Sequence, residues 1–95
     1  MSIEVKKTDH DDSYEFQVTV KEGKGESHHR VTLRKADYQR LVAGKVSPED
    51  LVTESFRFLL EREPKESILS SFDLMVIGRY FPEYRREIVK RLRVE

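Results

Sequence analysis

The 95-residue chain contains no cysteine. That excludes a disulfide framework, a thiolate metal centre and a cysteine nucleophile. It has no apolar run near the roughly 20 residues of a membrane-spanning helix, and no apolar stretch follows Met1 to Lys7 in the manner of a signal peptide. A cytoplasmic protein that contacts no membrane is the expectation. Neither sign of charge prevails, because 18 basic residues balance 18 acidic ones. Glycine and proline are scarce, at four and three residues, and no linker, repeat or low-complexity segment stands out. Leu, Ile, Val and Phe make up 27 of the 95 residues. Disorder goes with less than about 20% of these and a large net charge, so the chain should fold. Its length allows a single domain over residues 1–95 with one small core.

The first third alternates. Tyr14, Phe16, Val18 and Val20 share one face, and Ser13, Glu15, Gln17, Thr19 and Lys21 share the other. A period of two with aromatic and β-branched residues is a half-buried strand. Residues 22–26 carry two glycines and read as a turn. Alternation resumes with Val31 and Leu33 inward and Arg30, Thr32 and Arg34 outward. Ile3 and Val5 begin an earlier strand, and residues 10–13 form the turn after it. The pattern predicts an α+β fold, in which a three-stranded antiparallel meander over residues 1–34 is packed on one face by a helical part over 37–93.

Helix signals fill the remainder. Asp37 to Ala43 reads as a short helix ended by Gly44. Ser47-Pro48-Glu49-Asp50 combines a capping hydroxyl, a proline at the first helical position and two carboxylates that complement the helix dipole. A helix from there to about Glu63 places Leu51, Val52, Phe56, Leu59 and Leu60 on a buried stripe, and Pro64 stops it. Ile68, Leu69 and Phe72 predict one helical turn. Asp73 predicts a cap for Leu74–Tyr80, and Pro82 opens a last helix from about Glu83 to Arg93.

The strings Ser55-Phe56-Arg57-Phe58-Leu59-Leu60-Glu61-Arg62-Glu63-Pro64, Glu66-Ser67-Ile68-Leu69, Phe72-Asp73-Leu74 and Ile77-Gly78-Arg79-Tyr80-Phe81-Pro82-Glu83-Tyr84 resemble the signature of a family of small uncharacterised bacterial proteins, over roughly residues 30–88. The resemblance implies a bacterial cytoplasmic origin and no particular activity. A weaker one covers residues 30–62. Arg30-Val31-Thr32-Leu33-Arg34, a short helix and a second helix opened by Ser47 are similar to a ribbon–helix–helix DNA-binding unit. That resemblance implies that Arg30, Thr32 and Arg34 would meet base edges in the major groove. Residues 28–45 hold five Lys or Arg and one acid, whereas the flanking stretches 1–27 and 46–66 are net acidic. The acidic flanks weaken attraction to phosphate.

Other chemistry finds little support. His10, Asp11, Asp12, His28 and His29 are metal-ligand types, yet adjacent His28 and His29 point to opposite faces of a strand and cannot share an ion there. No metal and no cofactor are expected. Ser27-His28 and the serines at 67, 70 and 71 lack the strained turn of an activated nucleophile, and Gly23-Lys24-Gly25 lacks the context of a phosphate loop. No catalytic residue is assigned, and no enzyme is expected. The aromatic closing segment carries the main functional expectation. Phe58, Tyr80, Phe81 and Tyr84, with Arg79 among them and Arg57, Arg85 and Arg86 nearby, are the residue types concentrated at interface hot spots. Phe58 lies roughly 160–200° around the helix from Phe56, so the last helices or a second chain must cover it. The expectation is a non-enzymatic interaction or regulatory module that pairs with itself as a homodimer, or with another protein, through Phe58, Arg79, Tyr80, Phe81 and Tyr84. The alternative is a small DNA-binding regulator.

Overall fold

The computed structural model describes residues 1–94, so only Glu95 of the expected domain falls outside the described residues. Strands β1 (Ser2–Asp9), β2 (Ser13–Glu22) and β3 (Gly25–Arg34) form an antiparallel meander. Its register sets Val5 opposite Val18, Phe16 opposite Val31 and Tyr14 opposite Leu33. Alternation along each strand therefore gathers the apolar side chains on one face and leaves Glu4, Lys6, Gln17 and Arg30 on the other. The β2–β3 turn is two residues long. Gly23 takes a φ of +59° there, the left-handed value that a II′ turn asks of its first position.

The sheet has a fourth strand that the pattern did not predict. β4 (Ser71–Asp73) pairs parallel to β3, with Val31 opposite Phe72, and the strand order is β1-β2-β3-β4. The fold is thus α+β with a four-stranded mixed sheet, in place of the expected three-stranded antiparallel one. The helical turn expected around Ile68, Leu69 and Phe72 forms earlier, as a 3-10 turn over Lys65–Ser67. The chain then extends, and the Arg30 amide donates to the Ser70 carbonyl at 2.8 Å. Three residues hold only one full alternation, too few for a period to register. What fixes this strand is the open edge of β3.

Helix α1 (Lys35–Val42) follows β3 without a loop, starting two residues before the expected position. It ends where Ala43 and Gly44 turn left-handed. Helix α2 (Pro48–Leu60) begins as predicted, with Ser47 Oγ accepting from the Asp50 amide at 3.0 Å. Asp73 also caps as predicted. Its carboxylate accepts from the Met75 amide at 3.0 Å and opens a 3-10 turn, Leu74–Val76, that runs into α3 (Ile77–Tyr80). Helix α4 (Tyr84–Leu92) closes the chain. Among the described residues, no helix is long and apolar enough to cross a membrane.

One hydrophobic cluster joins sheet and helices, and α2 runs through its middle. Phe56 faces the sheet side, with its ring 5.3 Å from His29 and 6.1 Å from Phe72. Phe58 faces the other way, 5.3 Å from Tyr84 and 5.9 Å from Phe81. The Arg62 guanidinium lies 3.6 Å over the Phe58 ring and seals it. The cover that Phe58 requires therefore comes from α4 and its lead-in, within the same chain. Phe58 and Tyr84 are fully buried, so the expectation that both belong to an interface is corrected. The side of α2 left to solvent carries Asp50 and Arg57, not its aromatic rings.

A chain of ion pairs ties α4 to α2. Arg91 pairs with Glu61 and lies 3.5 Å from Glu54. The Arg91 guanidinium holds the Glu61 carboxyl below its ordinary value of 4.5. A depressed carboxyl contributes stability that is present above 4.5 and is lost as the pH falls through the lower folded value. Thermal melting should therefore move to lower temperature below that pH, and Arg91→Ala should flatten part of the decline. Parallel acid profiles of the two proteins would remove this coupling.

Candidate functional site

The chain between α2 and α4 does not lie flat on the core. Pro64 ends the preceding turn, the Lys65–Ser67 turn redirects the backbone, and β4 pins it to β3. Asp73 then turns it back into α3. An open groove of about 410 Å3 remains between the end of α2, the extended 68–72 segment and α3. Leu59, Ile68, Phe72, Ile77 and Phe81 contribute apolar walls, and Glu63 and Ser67 contribute the polar part. At its mouth, Leu69 is 49% exposed and Tyr80 is 67% exposed. In an extended stretch, adjacent side chains point opposite ways. With Ile68 buried, Leu69 is turned outward.

The five residues expected at an interface therefore divide. Arg79 and Tyr80 are exposed, Phe81 is half-buried on the groove wall, and Phe58 and Tyr84 are internal. Leu69 and Glu63 were not singled out from the sequence. The available signal at Leu69 was two neighbouring apolar residues before an extended segment, only one of which can face inward. Glu63 makes no ion pair among the described residues, although Glu61, Arg62 and Glu83 beside it do.

The residues of the DNA alternative lie elsewhere. Arg30 donates from Nε to Glu15 Oε2 at 2.8 Å and from Nη2 to Oε1 at 3.2 Å. This two-point pairing engages two of the five N–H donors of the guanidinium. Thr32 Oγ1 donates to Asp73 at 3.0 Å, while Arg34 is exposed. β3 lies between β2 and β4, so it lacks the free edge that a two-fold ribbon requires.

The histidines are dispersed as their alternation implies. His28 faces outward beside Glu26 at 3.2 Å, and His10 lies 3.5 Å from Glu15. His29 is buried on the core face. Its Nδ1 lies 2.7 Å from the Leu69 carbonyl and its Nε2 lies 2.9 Å from Ser27 Oγ. A carbonyl only accepts, so the proton sits on Nδ1 and Nε2 is left to accept from the Ser27 hydroxyl. His29 is thus a structural tie between β3 and the groove wall. Among the described residues, no three His, Asp or Glu side chains gather as a metal site would need.

Compared with family models, with curated proteins and with solved structures, the chain matches none.

Proposed function

We propose that the protein is a non-enzymatic interaction module that receives a short peptide segment of another protein in the groove beside α3. One observation carries this reading: two large apolar side chains, Leu69 and Tyr80, stand open to solvent at the mouth of an apolar groove. A single exposed apolar residue is ordinary, but two of them flanking a concave apolar wall describe an unfilled contact. The volume of about 410 Å3 suits two or three side chains. Glu63 lines the same groove with no ion-pair partner among the described residues. The fitting ligand is an apolar pair flanked by Lys or Arg, with the basic group meeting that carboxylate.

Selection from a random peptide library against the immobilised protein tests the reading. Enriched sequences should carry an apolar pair beside a basic residue, and they should bind Leu69→Asp at least about tenfold more weakly, a hot-spot loss. Failure to enrich any sequence, or equal binding by Leu69→Asp, removes the groove as a site.

A further inference from the structure

The opposite end of the sheet carries an independent inference. β1 is an edge strand eight residues long, and the parity of its hydrogen bonds is fixed twice. The His10 amide donates to the Ser13 carbonyl at 2.9 Å, in line with the β1–β2 register. Antiparallel partners exchange bonds at every second residue, so Ser2, Glu4, Lys6 and Thr8 bond inward to β2. Across β2, the Lys35 amide donates to the Asp12 carbonyl at 2.9 Å. By the same alternation, even residues of β2 then serve β3 and odd ones serve β1, which agrees. The amides and carbonyls of Ile3, Val5 and Lys7 therefore face the open side, and among the described residues none of them makes a backbone bond outside the β1–β2 pair. Ile3 and Val5 are themselves only half-buried at the margin of the core.

We propose that two copies of the chain pair through this edge, antiparallel about a two-fold axis at Val5, joining their sheets into one. The charges select that register. An axis at Glu4 sets Glu4 against its own copy, and an axis at Lys6 or Lys7 does the same with a lysine. An axis at Ile3 shortens the ladder. Only the axis at Val5 keeps a long overlap with Glu4 opposite Lys6 on both sides of the centre, Val5 opposite Val5 and Ile3 opposite Lys7. The Glu4–Lys6 pairs fall at non-hydrogen-bonded positions, where opposed side chains approach most closely. Edge lysines normally discourage such pairing. Here Lys6 meets a carboxylate, and the Lys7 ammonium lies 5.1 Å over its own chain's Tyr14 ring.

Sedimentation of the full chain across a concentration series tests the proposal, with folding of each variant checked by circular dichroism. The wild type should dimerise below about 500 μM, as a small interface permits. Glu4→Lys and Lys6→Glu should each weaken the dimer about tenfold, since each places like charges together at two symmetric positions. The double variant, with both pairs reversed, should recover wild-type association. Amide exchange supplies a readout without mutation: Ile3, Val5 and Lys7 should gain protection with concentration. A wild type that stays monomeric, or a double variant no tighter than the singles, overturns the proposal. Leu69→Asp should leave this dimer intact, and Glu4→Lys should leave peptide capture intact, so the two surfaces fail or succeed separately.

Discussion

Phe58→Ala should cost about 3–5 kcal/mol of folding stability, the range for removing a buried phenylalanine side chain. Total stability for a domain of this size is about 5–14 kcal/mol, so the loss is a large fraction of it. The reason is positional. Phe58 is fully buried between Tyr84 and Phe81 with the Arg62 guanidinium stacked over its ring. Urea denaturation gives the measurement. A loss under about 1 kcal/mol would mean that Phe58 is not enclosed as described. A folded variant that failed only to bind a partner would mean the same.

Ser55 and Tyr84 should respond unequally to the loss of one oxygen each. Ser55 Oγ donates to the Leu51 carbonyl at 2.7 Å, so the Tyr84 hydroxyl, 2.7 Å away, must be the donor in their mutual bond. Ser55→Ala leaves the phenol buried without an acceptor and should cost about 1–3 kcal/mol. Tyr84→Phe leaves Ser55 still bonded to Leu51 and should cost about 0.5–1.5 kcal/mol. The double variant should then be less costly than Ser55→Ala alone, because it removes the stranded phenol. Burial also pushes the Tyr84 phenol above its ordinary 10.0. A raised acid contributes stability that is lost as the pH rises past that unfolded value, so Tyr84→Phe should also blunt alkaline unfolding. Equal costs for the two single variants would contradict the assigned direction of the bond.

Much of this architecture was written in local patterns. Alternation at Tyr14, Phe16, Val18 and Val20 and again at Val31 and Leu33 fixed the meander and its inward face, because a half-buried strand has to alternate. Ser47-Pro48 and Asp73 located helix starts through their own hydrogen bonds to nearby amides. What stayed hidden depended on distant partners. β4 is defined by the edge of β3, some forty residues earlier in the chain. His29 sits on the strand's inward face in a position that alternation marks, yet its role rests on the Leu69 carbonyl. The closing aromatic segment showed its composition without showing which rings turn inward. Phe58 and Tyr84 find each other across α2 and α4, and that meeting removed two residues from the expected contact surface. Leu69 and Glu63 became visible only once the groove had walls.

The parallel pairing of β4 with β3 also orders events in time. Both hairpins connect neighbours across turns of two or three residues, and such closures take about 1–10 μs. β4 reaches its place only after α1 and α2 have been threaded between it and β3, and long closures of this kind come late because chain entropy opposes them. The two hairpins of the meander can close before β4 arrives. The groove wall therefore forms after the meander, held to β3 by a three-residue ladder, the Arg30–Ser70 backbone bond and the His29–Leu69 bond. Its exposed stretch from Leu69 to Ser71 should also be cut by a protease under native conditions before either hairpin opens.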